Sequence, residues 1–97
     1  MGKPEARIEN YLRRRVKEEG GQIRKMRWIG RRGAADNFMW WPEGKYAFVE
    51  VKAEGCDVDW RSLQGREIRR MYEDGIAIWV VKSHEEVDRL IAEVKGG

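Results

Sequence analysis

Asn37-Phe38-Met39-Trp40-Trp41-Pro42-Glu43-Gly44-Lys45-Tyr46-Ala47-Phe48-Val49-Glu50-Val51-Lys52 holds two apolar runs joined by a Pro42-Glu43-Gly44 turn signal. The stretch reads as two strands, Asn37 to Trp41 and Tyr46 to Lys52, closed into a hairpin. Side chains alternate between the faces of a strand, so Glu50 and Lys52 project to the same side. A carboxylate and an ammonium at such positions of a mostly apolar strand are costly to bury without partners. Asp36 stands immediately before the first of the two strands and supplies a second carboxylate.

Outward from the hairpin, the chain reads as α-β-β-β-α-β-α. Pro4, Glu5 and Glu9 favour a helix start, and Ile8, Tyr11, Leu12 and Val16 recur at helical spacing until Gly20-Gly21 stops it. Residues 22 to 29 read as the first strand, followed by a basic connection from Gly30 to Ala35. After the hairpin comes a loop from Ala53 to Asp59, with Asp59 as the expected N-cap. Trp60, Leu63, Ile68, Met71 and Tyr72 trace a helix ending near Gly75. The continuous apolar run from Ile76 to Val81 reads as a strand covered on both faces. Ser83 and Glu86 form a capping box for a last helix carrying Val87, Leu90, Ile91 and Val94. Short connections predict an antiparallel meander for the first three strands. The long helical crossover places the fourth strand parallel to the third. The expectation is an α/β fold, a mixed four-stranded sheet flanked by helices, in a single domain spanning 1–97.

Charged residues make up 38% of the chain yet the net charge is only +3, and arginines outnumber lysines. Arginine's planar fork suits bidentate phosphate contacts better than lysine's point charge. Basic groups cluster at Arg13-Arg14-Arg15, at Arg24, Lys25 and Arg27, at Arg31-Arg32, and at Arg66, Arg69 and Arg70. Convergence of such clusters near a carboxylate site favours a polyanionic partner. One cysteine, Cys56, and one histidine, His84, exclude a Cys/His zinc site and a disulfide framework. Among the tryptophans, Trp79 falls in the apolar fourth strand, whereas Trp60 is the one expected to be exposed. No signal peptide, membrane-spanning run, repeat or low-complexity segment is present, so no membrane association is expected and the chain reads as cytoplasmic.

Three Glu-x-Lys tripeptides occur, beginning at Glu43, Glu50 and Glu93, and only the middle one lies on an expected strand. Two carboxylates, Asp36 and Glu50, beside Lys52 can hold a hard divalent cation next to an ammonium. That chemistry suits metal-assisted phosphodiester hydrolysis. The bland alternative for the same residues is a salt bridge on a solvated face.

Glu9 in the first helix, Gly33-Ala34-Ala35-Asp36, Glu50-Val51-Lys52 and Gln64 follow one another in an order that resembles the PD-(D/E)xK nuclease superfamily. More narrowly, the chain resembles stand-alone, phage-type members of the virus-type replication-repair nuclease (VRR-NUC) family, over nearly its whole length. The resemblance implies a restriction-endonuclease-like αβββαβα core. The chain departs from the family's Gly-x-Pro-Asp at Ala35, which bears on the stiffness of the loop rather than on the chemistry.

By this resemblance, Asp36, Glu50 and the Val51 carbonyl bind Mg²⁺ or Mn²⁺. Glu9 reaches the same metal directly or through water, with Glu5 one turn earlier as the alternative. Lys52 holds the attacking water or steadies the developing charge. Gln64 orients Lys52 or contacts the scissile phosphate. Arg31, Arg32, Gly33, Arg66 and Arg69 engage the DNA backbone.

The activity implied is that of a structure-selective DNA endonuclease acting on branched DNA such as Holliday junctions. Flap cleavage is expected of relatives fused to further domains. A non-catalytic nucleic-acid-binding module is the rival, although carboxylates facing a polyanion speak against it. The chain is expected to be phage- or bacterium-encoded. The Phe38-to-Trp41 run, apolar on both faces, points to a homodimer.

Overall fold

Three antiparallel strands that all end or begin at the same end of a sheet set the architecture of this chain. The computed structural model describes residues 4–30 and 35–96. Its elements are α1 (Pro4–Glu18), β1 (Gln22–Lys25), β2 (Asn37–Trp41), β3 (Lys45–Val51), α2 (Leu63–Glu73), β4 (Ile78–Val81) and α3 (His84–Gly96). The strand order is β1-β2-β3-β4. The first two pairings are antiparallel, and β4 runs parallel to β3, with α2 as the crossover.

Helices α1 and α3 cover one face of the sheet. Ile8, Leu12 and Val16 of α1 and Val87, Leu90 and Ile91 of α3 meet Met39, Trp41, Ala47, Val49, Val51 and Val81 in one core cluster. Each Val, Leu, Ile or Met side chain among them stabilises the fold by about 1.5–3 kcal/mol when fully buried. Helix α2 packs on the opposite face, where Ile68 joins Ala35, Val58 and Ile78 in a smaller cluster. The aromatic residues Phe38, Trp40, Tyr46 and Phe48 lie on that face too, half-buried and in ring contact through Phe38.

Two close approaches fix the first helix to the sheet. The Trp41 indole N–H donates to the Glu19 carbonyl at 3.0 Å. A Cβ on Gly21 would stand 2.6 Å from the same ring, so only glycine lets the chain pass there. The hairpin between β2 and β3 turns through Glu43 and Gly44, both at positive φ (72° and 75°). Lys45 then pairs with Trp41.

Three expectations needed revision. β1 stops at Lys25 rather than continuing to Ile29, because its partner β2 begins at Asn37, opposite Lys25. Ile29 is exposed. The N-cap of α2 is Ser62, whose Oγ accepts from the Gly65 N–H at 3.0 Å, and not Asp59. Asp59 instead accepts from the Arg61 N–H at 3.0 Å, so Trp60 lies in the turn before the helix. The fourth strand begins at Ile78, and its Trp79 and Val80 are only half-buried because β4 is an edge strand. The capping box of α3 does form. Ser83 Oγ accepts from the Glu86 N–H at 3.2 Å, and Glu86 reaches back to the Lys82 N–H at 2.6 Å.

Among the described residues no helix is long and apolar enough to cross a membrane.

Candidate active site

The antiparallel register brings the chemistry together. Asn37 pairs with both Lys25 and Val49. One step further along, Asp36 falls opposite Glu50. The end of β1, the start of β2 and the end of β3 therefore converge at one end of the sheet. Helix α1 closes one side of this end and the start of α2 the other. A cavity there is lined by Glu5, Ala6, Glu9, Lys25, Asp36, Glu50 and Val51, with a volume of about 240 Å³.

Glu50 is only 5% exposed. Its Oε2 lies 3.5 Å from Lys52 Nζ, while its Oε1 is buried with no hydrogen-bond partner among the described residues. Burial and then the negative charge of Asp36 hold the Glu50 carboxyl above the usual carboxylate range. Lys52 and Gln64 offset this only in part. Lys52 Nζ in turn donates to Gln64 Oε1 at 3.2 Å, which ties the end of β3 to the first turn of α2. A buried acceptor left unmatched costs about 1–3 kcal/mol, so this arrangement stores an unfavourable term at the base of the cavity.

Glu9 is held by a network absent from the sequence-based expectation. Its Oε2 accepts from Asn37 Nδ2 at 3.1 Å and from Lys25 Nζ at 3.1 Å. Asn37, fully buried, accepts from Arg13 Nη2 at 3.1 Å through its own Oδ1. Burial alone would raise the Glu9 pKa, but the Asn37 and Lys25 hydrogen bonds and the Lys25 and Arg13 charges outweigh it. The carboxyl is held below its usual value. Asn37 carries no periodicity signal beyond that of a strand residue. Its polarity inside an apolar run was the one hint, and Lys25 gave none.

Asp36, Glu50, Lys52 and Gln64 thus meet at one locus, with Glu9 and Glu5 both lining the cavity from α1. Among the described residues no three Asp, Glu, His or Cys side chains stand close enough together to hold a metal ion as arranged. The donor set nevertheless fits a hard cation. It offers oxygen ligands only, two of them adjacent carboxylates, and one carboxylate oxygen is buried with nothing to accept from among the described residues.

Arg66 and Arg69 lie exposed on α2. Arg31, Arg32 and Gly33 lie outside the described residues. Of the other basic clusters, Arg15 is engaged by Glu18, Glu19 and Asp88, and Arg24 stacks over Trp40. Those guanidiniums serve the fold.

A restriction-endonuclease-like sheet with paired carboxylates and a lysine at the end of its central hairpin defines a nuclease domain of the PD-(D/E)xK type. No family model and no curated protein matches the chain. A solved structure described as a VRR_NUC domain is similar to it, with 37% sequence identity and a TM-score of 0.83. The match covers 93% of this chain and 96% of that one. The chain belongs to the VRR-NUC family.

Proposed function

We propose that this protein is a metal-dependent, structure-selective DNA endonuclease that cuts branched DNA such as Holliday junctions. The observation that carries the reading is the Glu50–Lys52 pair beside Asp36, with one buried Glu50 oxygen unmatched among the described residues. Asp36, Glu50, the Val51 carbonyl and Glu9 would hold Mg²⁺ or Mn²⁺. Bound there, the ion would lower the pKa of water and offset charge on the phosphate.

The chain's own residues supply the rest. Lys52 donates toward the attacking water or the developing negative charge, and Gln64 fixes the ammonium from the far side. Asn37 and Lys25 keep Glu9 ionised and oriented on the cavity wall. Arg31, Arg32, Gly33, Arg66 and Arg69 contact the phosphate backbone, giving affinity without sequence information.

The working unit is a homodimer. A four-way junction needs two symmetric cuts, and one chain carries one site. The half-buried aromatic side chains of Phe38, Trp40 and Tyr46, on the same face of the sheet but outside the cluster that α2 forms with Phe48 and β4, support the same reading.

A cleavage panel of junction, flap, nicked and linear DNA, with Mg²⁺, with Mn²⁺ and with chelator, tests the proposal. Junction-selective cuts that require the cation are expected. Cleavage that persists in chelator, or that prefers linear DNA, rejects the reading.

A further inference from the structure

Helix α2 carries Gln64 into the active site at one end and borders a second hollow along its flank. This groove lies between α2 and β4 and is lined by Trp60, Ile68, Arg69, Tyr72, Ile78 and Val80. Its volume is about 340 Å³, and its lining includes no acidic residue among those described. Tyr72 is 71% exposed and Trp60 39%, an unusual degree of exposure for large aromatic side chains in a domain this small. Among the described residues, Arg69 supplies the one charged group of the lining.

We propose that this groove takes an unpaired nucleobase of the DNA substrate, stacked on Trp60 or Tyr72 with its phosphate against Arg69. The inference rests on the nuclease reading above and gives it a source of structure selectivity. Aromatic faces accept any base, and the guanidinium complements the backbone it is attached to. Position supports the same occupant. The eight helical steps from Gln64 to Tyr72 span about 12 Å, or three to four stacked nucleotides at about 3.4 Å each. A base in the groove therefore belongs to the strand being cut, a few nucleotides from the phosphate at Lys52. A continuous duplex keeps its bases paired and cannot fill the groove, whereas a branch point offers bases that can leave the stack at lower cost. A second copy of the chain is a poorer occupant. A stable interface needs about 800 Å² per partner, far more than a hollow bounded by six side chains offers.

The groove also gives a reason for the strict packing at the start of α2. A Cβ on Gly65 would stand 2.3 Å from the Asp59 carbonyl oxygen and 2.7 Å from the Trp60 Cα. The absence of a side chain there lets the Trp60 turn lie directly against the helix that carries Gln64.

The test compares wild type with Trp60→Ala and Tyr72→Ala, using a four-way junction with 2-aminopurine at the branch point. A linear duplex carrying the same base in paired form is the control. Binding is read in Ca²⁺, and cleavage separately in Mg²⁺. Wild type should quench the branch-point fluorophore, and both variants should lose that quenching. Each variant should also bind the junction about tenfold more weakly, while duplex affinity stays unchanged. Tyr72 is so exposed that its substitution leaves the fold intact, which circular dichroism checks. Equal losses on both DNAs, no loss on either, or a changed sedimentation mass in the variants would each overturn the proposal, the last by showing a second copy in the groove. The two readings fail separately. Wild type that cuts junctions in a Lys52-dependent way, beside variants that match it, rejects the groove alone. Wild type that neither binds nor cuts DNA rejects the nuclease reading and the groove with it.

Discussion

The Asn37 side chain on β2 donates to the Glu9 carboxylate on α1 at 3.1 Å, and Asn37 is the chain neighbour of Asp36. One buried amide thus couples the helix that borders the cavity to the strand that delivers a carboxylate into it. Arg13 holds the other end of the same amide, so α1 grips β2 at two points along its length.

Asn37→Ala should destabilise the protein by about 2 kcal/mol, since it orphans Arg13 and removes a charged hydrogen bond from a fully buried position. Urea unfolding measures this. Glu9→Gln should cost stability at neutral pH only. The folded Glu9 pKa is lowered, so its contribution is present above the ordinary value and is lost as pH falls through the folded one. Wild type and Glu9→Gln should therefore converge in acid.

Glu50→Gln should behave in the opposite sense and stabilise the metal-free protein. The folded Glu50 pKa is raised, so ionisation opposes folding at neutral pH, and the penalty fades as pH falls through the folded value. Relief of a strained buried carboxylate worth about 1 kcal/mol would lift Tm by roughly 4–8 °C in a domain of this size. Added Mn²⁺ should then raise the Tm of wild type but not of the variant. A variant that melts below wild type at neutral pH without metal would contradict this account of Glu50.

Lys52→Ala should reduce cleavage by at least ~10²-fold while DNA binding survives, as expected for loss of a preorganised charge stabiliser. Gln64→Ala should give a smaller loss, because it only loosens the ammonium that Gln64 holds at 3.2 Å. Single-turnover rates on a junction rank the two. Equal rates for Lys52→Ala and wild type would remove the lysine from the chemistry.

Gly65→Ala should be among the most harmful single methyl additions in the chain. The atoms it would meet are backbone, at 2.3 and 2.7 Å, and cannot swing aside as a side-chain tip would. A loss of about 1–3 kcal/mol is expected, together with slower cleavage as Gln64 shifts away from Lys52. Denaturant unfolding and cleavage rates should fall together.

The order of elements and the meeting of Asp36, Glu50 and Lys52 were legible because alternation in β2 and β3 and the hairpin turn fix the register, whereas Gln64, on α2, was reached only through the family resemblance. Register in turn fixes which side chains share an end of the sheet. The Glu9 network was not legible. Glu9, Lys25 and Asn37 come from three elements whose mutual approach depends on how α1 lies across the sheet, and no local period encodes that angle. The length of β1 escaped for a related reason. Residues 26 to 29 have the composition of a strand, but a strand ends where its partner does, and Asn37 marks that limit. The cap of α2 was misread because Asp59 and Ser62 are both good capping residues; Asp59 closes the turn that precedes the helix.

The Pro42-Glu43-Gly44 turn sits at the closed tip of the β2–β3 hairpin, at the opposite end from Asp36 and Glu50. Five paired positions of strand, at about 3.3 Å each, separate the tip from the site by roughly 17 Å. All three tip residues face solvent, and the adjoining Lys45 ammonium is anchored to the Lys95 carbonyl at 2.6 Å. That makes the tip a handle: a fluorophore, a tether to a surface or a fused binding module attached at Glu43 leaves the cutting end free. A VRR-NUC domain can thus be aimed at a chosen DNA locus, or watched on a single molecule, from the side of the sheet its own chemistry does not use.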